Sequence, residues 1–329
     1  MTLKTLKNVG EFGLLNRYVL GQLSGTGVSL GDDCGWMDLG GGRVLLASTD
    51  AMVEGSHYTA QTLASGALAR KALRVALSDI AAMGGARSLG ALVTLGARST
   101  MPVSGFKDFM LALKTEARLW NTKILGGDLV ESKGKEFAAV SVFGIAKNKK
   151  LLLRSAAKVG ETLWVTGPLG LASAGVDVLR AKKTKKFPLL AQAQCLPPLR
   201  LAEGGLLVDR GISRCAMDLS DSLACSLRWI AKLSGVCLEV DLREIPIHCE
   251  LARYSGASAV SLKKYILFGG EDYELIFSSS RSARFIQKIL PNAYPVGLVK
   301  PGPAQACYID FDGKKTVITG KNIGYEAFH

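Results

Sequence analysis

The chain has 329 residues, 48% hydrophobic and 21% charged, with a formal net charge of +13. Such length and apolar content exclude a disordered or fibrous chain and fit two packed domains. No apolar run reaches bilayer-spanning length and no signal peptide is expected. The seven cysteines include no C-x-x-C pair, so reduced thiols in a cytoplasmic protein are expected and a zinc site is not. The basic runs Lys147-Asn148-Lys149-Lys150 and Lys182-Lys183-Thr184-Lys185-Lys186 are short and lack interleaved aromatics. They read as solvated loops that draw in small anions; neither nucleic acid nor membrane is expected as a partner.

In chain order, apolar spacing predicts a helix over residues 11–20, ended by Gly21. The run Gly27-Val28-Ser29-Leu30-Gly31 matches a nucleophile elbow, but no strand precedes it and an acidic turn follows, so it reads as chance. Next come Gly31-Asp32-Asp33-Cys34-Gly35 and the strand Val44-Leu45-Leu46-Ala47, whose end presents Ser48-Thr49-Asp50. His57 follows, a contact for phosphate or an aromatic substrate, or a structural imidazole. A helix is predicted over 67–83, with Asp79 inside it or at a break. A strand at 89–95 and a helix at 103–120 lead to Gly126-Gly127-Asp128, and a strand covers 137–145.

The basic, turn-rich stretch 147–160 is the expected boundary between domains 1–150 and 151–329. Beyond it a strand at 161–166 meets the turn Gly167-Pro168-Leu169-Gly170, which opens a helix at 171–179 whose N-terminus could hold phosphate. Then follow Leu196-Pro197-Pro198-Leu199-Arg200, a helix near 200–208, the turn Asp218-Leu219-Ser220-Asp221, a helix at 222–234 and a strand at 236–240. Gly269-Gly270-Glu271-Asp272 is expected to pass directly into a strand at 273–277, and a small β-rich tail closes an α/β (α+β) fold.

Carboxylates thus recur at the ends of apolar runs, beside Gly, Ser or Thr. Clustered carboxylates repel unless a cation lies between them, and an oxygen-only donor set suits Mg²⁺. Adjacent glycines let backbone N–H groups approach phosphate. The chain therefore reads as a metal-dependent enzyme acting on phosphates, although any one of these aspartates could be a turn or capping residue. Gly-Lys pairs at 134–135, 313–314 and 320–321 do not complete a P-loop.

Six motifs resemble thiamine-monophosphate kinase, of the superfamily that includes aminoimidazole ribonucleotide and selenophosphate synthetases. They are Gly31-Asp32-Asp33, Ser48-Thr49-Asp50 with Glu54-Gly55-x-His57, Leu77-Ser78-Asp79-Ile80-Ala81-Ala82-Met83-Gly84, Gly126-Gly127-Asp128, Asp218-Leu219-Ser220-Asp221, and Gly269-Gly270-Glu271-Asp272-Tyr273-Glu274-Leu275. The resemblance implies an N-terminal α/β domain that forms an intersubunit β-barrel in a homodimer, and a C-terminal α/β domain. It implies ATP as co-substrate, several Mg²⁺ ions and thiamine monophosphate as acceptor. Carried over by position, the metal ligands are Asp33, Ser48, Thr49, Asp50, Asp79, Asp128, Asp218 and Asp221. ATP would meet Gly127, Asp128, Arg154 and Ser220; thiamine phosphate would meet His57, Glu271 and Tyr325. Ser222 stands where the family has Gly, and Phe268 replaces a small residue.

The implied reaction makes thiamine diphosphate and ADP. An acceptor phosphate oxygen is already anionic near neutral pH, so no general base or covalent nucleophile is expected. Three rivals stay open: a relative with another substrate, a metal-dependent phosphohydrolase, and a non-catalytic nucleotide-binding protein.

Overall fold

The computed structural model describes residues 5, 6, 14, 19, 31–85, 87–147 and 150–319. The helix predicted at 11–20, most of the Gly27–Gly31 run and Tyr325 lie outside the described residues.

Two sheets carry the fold. The first contains β1 (Gly35–Gly40), β2 (Arg43–Val53), β3 (Arg87–Ala97), β4 (Ile124–Glu131) and β5 (Phe137–Lys147) in the order β1-β2-β5-β3-β4. All neighbours are antiparallel except β3 and β4, which are parallel and joined through a helix. Alternation decides the faces. Val44, Leu46 and Met52 of β2, Ala138, Val140 and Val142 of β5 and Val93 of β3 are buried, sharing a core with helices α1 (Ser65–Ala82) and α2 (Val103–Leu119). Among the described residues the opposite face carries no helix: Met37 is 47% exposed and Leu92 41%, and Thr49 and Ala51 are exposed beside them. Among the described residues of one chain the sheet is open, with β1 and β4 at its edges.

Beyond residue 150 come β6 (Thr162–Val165), α3 (Leu171–Arg180), α4 (Pro188–Cys195), α5 (Leu201–Asp209), β7 (Cys215–Asp218), α6 (Leu223–Ser234) and β8 (Cys237–Asp241). They are followed by α7 (Cys249–Ser255), α8 (Ala259–Phe268), β9 (Leu275–Ser279), α9 (Ala283–Ile289), β10 (Tyr294–Lys300), β11 (Gln305–Ile309) and β12 (Lys315–Val317). The second sheet runs β12-β11-β8-β10-β6-β9-β7, and only β8 and β11 are parallel. Its β6, β9 and β7 strands are buried on both faces. Leu163, Val165 and Ile276 face the core of α3, α6 and α8, whereas Trp164, Leu275 and Phe277 face α5 and α9.

Helix α1 joins the layers. Most of its buried residues enter the first core, but Ala81 and Ala82 enter the core beneath the second sheet. A Cβ on Gly204 of α5 would stand 2.1 Å from the Ala81 carbonyl oxygen, so glycine is what permits this approach.

Several expectations are corrected. β2 runs three residues past Asp50, because its pairing with β5 continues to Val53 and Phe137. Gly126-Gly127-Asp128 lies inside β4 rather than at a strand end. The stretch after Gly270 does not enter a strand directly: Glu271 and Tyr273 have φ of +66° and +49°, and β9 starts at Leu275. Helix α4 was not anticipated, although Pro188 at its first turn is a start signal.

Candidate active site

The acidic motifs converge where β2, the C-terminal end of α1 and the end of β7 meet. Oxygens of Asp33, Asp79 and Asp218 lie within 4.8 Å of one another. Asp79 occupies the last turn of α1, where a carboxylate opposes the helix dipole, so helix stability does not account for it. Ser48 Oγ donates to its carboxylate, and the neighbouring Ser78 Oγ donates to Asp218 Oδ2 at 2.7 Å. Both hydroxyls aim carboxylates inward.

Arg154 closes one side. Its Nη2 and Nε donate to Asp33 at 2.7 and 3.3 Å, and its backbone N–H donates to Asp32 at 2.9 Å. The Asp33, Asp218 and Asp79 carboxylates outweigh burial and hold the guanidinium pKa above its ordinary value. One cation does not balance the cluster. Burial, then the Asp221 charge, pushes Asp50 up to about 6; burial and neighbouring aspartates push Asp79 and Asp218 well above the carboxylate range. Crowded, desolvated oxygen donors are what a hard divalent cation would relieve, and Mg²⁺ fits this set.

The second wall is the Gly269–Glu274 loop, laid against the Asp218–Asp221 turn. Glu271 N–H donates to Ser220 O at 2.6 Å, and Tyr273 N–H to Leu219 O at 3.0 Å. A Cβ on Gly270 would stand 2.2 Å from the Asp221 carbonyl oxygen, which explains the glycine. The left-handed Glu271 and Tyr273 are non-glycine residues in a costly conformation beside the acidic cluster, a placement common at functional sites. Asp272 turns away. It accepts from the N–H groups of Gly170 (2.6 Å) and Ala172 (3.2 Å), so the N-terminus of α3, read above as a phosphate seat, already holds a carboxylate. Glu274 pairs with both ends of Arg200, at 2.7 and 2.6 Å, and takes the Thr166 hydroxyl at 2.6 Å. Ser222 caps α6, accepting from Cys225 N–H at 3.0 Å, and Phe268 packs on the second core.

The remaining predicted residues are placed less uniformly. Asp50 points to the helix side of β2 with Ser48, whereas Thr49 points to the opposite face, where its hydroxyl accepts from Ser141 Oγ at 3.0 Å. Gly127 and Asp128 are exposed on the edge strand β4, three strands from β2 or about 14 Å within one chain. His57 Nδ1 accepts from Val53 N–H at 3.0 Å, an imidazole that closes its own turn. Residue-by-residue reading missed Lys71, which is 1% exposed with Nζ 2.8 Å from Glu271 Oε1, and Gln194, whose Nε2 donates to Glu271 Oε2 at 2.6 Å. The signal for Lys71 was present: it falls on the buried side of α1, between Leu68 and Val75.

An acidic cluster where two mixed sheets meet is a setting for metal-assisted phosphate chemistry. Residues 31–146 match the family described as AIR synthase related protein, N-terminal domain. The thiamine-monophosphate kinase of Haemophilus influenzae is 31% identical over 280 residues, covering 82% of this chain and 81% of that protein. That of Aquifex aeolicus is 29% identical, covering 83% and 87%. A solved structure described as AaThiL complexed with AMPPCP and TMP aligns with a TM-score of 0.86 and 27% identity over 99% of this chain and 100% of that one. The chain belongs to the thiamine-monophosphate kinase family.

Proposed function

We propose that this chain transfers the γ-phosphoryl group of ATP to the phosphate of thiamine monophosphate, giving thiamine diphosphate and ADP. The observation that carries the reading is the Asp33–Asp79–Asp218 cluster with Arg154 at its edge, in a chain aligned over nearly its whole length with a kinase structure described as holding AMPPCP and TMP. Magnesium bound by these carboxylates would neutralise phosphate oxygens and so lower the repulsion between donor and acceptor. Asp33, Asp79, Asp218, Asp50 and Asp221 are the proposed ligands, with Ser48 holding Asp79. Arg154 supplies a fixed positive charge beside the cluster and with Ser220 is the proposed ATP contact there, while Glu271 and the strained loop shape the acceptor side. No side chain is required as a base, because the attacking oxygen carries its own charge.

The site extends across both proposed domains, 1–150 and 151–329. Thr49, Gly127 and Asp128 lie on or beside the exposed face of the first sheet, so their proposed roles depend on a second chain closing over it. Exposed Met37, Leu89, Leu92 and Leu129 support a homodimer joined through this sheet into an intersubunit barrel. Among the described residues no helix is long and apolar enough to cross a membrane.

The test is ADP release from Mg²⁺-ATP with thiamine monophosphate, free thiamine or no acceptor. Turnover with the monophosphate alone, abolished in Asp50→Ala and Asp221→Ala, supports the reading. ADP release indifferent to acceptor replaces it with a phosphohydrolase.

A further inference from the structure

Arg154 lies between β5 and β6, in a stretch (150–161) where the backbone forms neither helix nor strand. Both of its main-chain groups are nevertheless held by side chains from elsewhere. Its N–H donates to Asp32 Oδ1 at 2.9 Å, and its C=O accepts from Ser234 Oγ at 2.9 Å. Ser234 Oγ also accepts from the Ala157 N–H at 3.1 Å, so one hydroxyl fixes two points of the stretch by donating at one and accepting at the other. The residue before Arg154 is anchored as well, since Leu153 N–H donates to Arg214 O at 2.9 Å. Irregular backbone ordinarily keeps freedom that a ladder would remove; here side chains remove it.

Neither holding residue is accounted for by the metal cluster or by its own element. Asp32 adjoins Asp33 but is not one of the three carboxylates that converge. A further carboxylate beside an acidic cluster is unfavourable by repulsion, so its presence needs another reason. Ser234 is the last residue of α6, and alanine would suit the helix better. At the other end of α6, Ser222 caps the first turn and Ser226 Oγ donates to Asp218 O at 3.2 Å. The helix has 12 residues, about 18 Å in length. It is thus tied to the Asp218–Asp221 turn at its start and to Arg154 at its end.

Among the described residues the guanidinium commits three of its five N–H bonds, two to Asp33 and one to Gly31 O at 3.4 Å. One N–H on each Nη is left for a phosphate oxygen. Such a fork is directional, and a backbone shift of about 1 Å misaims it. We infer that Asp32 and Ser234 are positioning residues for the nucleotide, clamping the Arg154 backbone so that its two remaining N–H bonds point at ATP. The inference rests on the kinase reading above and on Arg154 as its ATP contact. It gives α6 the task of setting the span between the aspartate turn and the cation.

The test is KM for ATP and for thiamine monophosphate, measured separately at saturating Mg²⁺ on variants of the full chain. Asp32→Leu and Ser234→Ala are each expected to raise KM for ATP roughly tenfold, the loss of about one orienting hydrogen bond, with KM for the acceptor within about twofold of wild type. Asp32→Asn keeps an acceptor oxygen and Ser234→Thr keeps the hydroxyl, so both should return KM for ATP to within about threefold of wild type. A merely structural pair would lower stability without separating the two KM values. KM for ATP unchanged in folded Asp32→Leu and Ser234→Ala overturns the inference and leaves the kinase reading standing. So does Asp32→Asn as damaging as Asp32→Leu with a raised Mg²⁺ requirement, since Asp32 would then be a metal ligand. KM for ATP unchanged in Arg154→Met removes the contact that these residues are inferred to aim, and the inference with it. Should the Asp32 variants fail to fold, the Ser234 pair decides alone. A wild type that turns over no acceptor sinks the kinase reading and the inference together.

Discussion

Ser78 and Asp218 are 140 residues apart, yet the Ser78 hydroxyl donates to the Asp218 carboxylate at 2.7 Å in a buried setting. The bond crosses from the helix that covers the first sheet to the edge strand of the second. It also fixes the carboxylate that completes the cluster. Ser78→Ala should lower the unfolding free energy by about 1 kcal/mol, the net value of a typical buried hydrogen bond. Urea denaturation measures it; a change under about 0.5 kcal/mol would show that the bond contributes nothing net.

Removing one carboxylate should have opposite effects on stability and function. Burial, and then repulsion from Asp50, Asp218 and Asp33, disfavours the Asp79 charge in the metal-free protein. Asp79→Asn is therefore expected to stabilise the metal-free protein by about 1 kcal/mol while abolishing kinase activity. In the wild type, Mg²⁺ at a hundred times its Kd should add about 2.7 kcal/mol. Thermal melts in EDTA and in Mg²⁺ read both, and a metal-induced shift of equal size in Asp79→Asn would remove this residue from the ligand set.

Asp272 gives stability a pH dependence. Burial raises its pKa from 3.8 to about 7, against the backbone N–H groups of Gly170 and Ala172 and with the Glu274 charge adding to the rise. A raised folded pKa means that the folded state holds the proton more tightly. The contribution is therefore fully present below about pH 3.8 and lost as pH rises through about 7. Its ceiling is about 4 kcal/mol at 1.36 kcal/mol per unit. Between pH 5 and 8 the wild type should lose more stability than Asp272→Asn; parallel curves would mean that Asp272 does not titrate in this window.

Arg200 and Glu274 form a two-pronged pair in which the Glu274 side chain is 4% exposed. Breaking it from one side leaves a buried charge: Arg200→Met should cost about 3 kcal/mol. The double variant Arg200→Met/Glu274→Leu should recover most of that loss, as measured by a double-mutant cycle in denaturant. No recovery would mean that the loss came from packing rather than from the stranded carboxylate.

Elements with a strong period were legible in the chain. Helix 67–83 is observed at Ser65–Ala82 and helix 103–120 at Val103–Leu119, because each buries one continuous apolar stripe. Asp79, expected inside its helix or at a break, lies within an unbroken one. What misled was the assumption that chemistry sits at strand ends: Asp50 and Asp128 are interior to their strands, where pairing partners rather than their own side chains set the length. Thr49 shows the same limit, since a period of two sends it to the opposite face from Ser48 and Asp50. The partners of Glu271 were out of reach, because Lys71 and Gln194 meet it only after two helices from distant parts of the chain have packed.

Helix α1 supplies buried residues to two cores and, through Lys71, Ser78 and Asp79, to both walls of the site. Melting of either sheet layer would therefore loosen this helix and with it both walls of the site. Loss of ligand binding and loss of helical signal should coincide in a single transition, and residues 31–146 expressed alone would lack the surface on which the inner end of this helix rests.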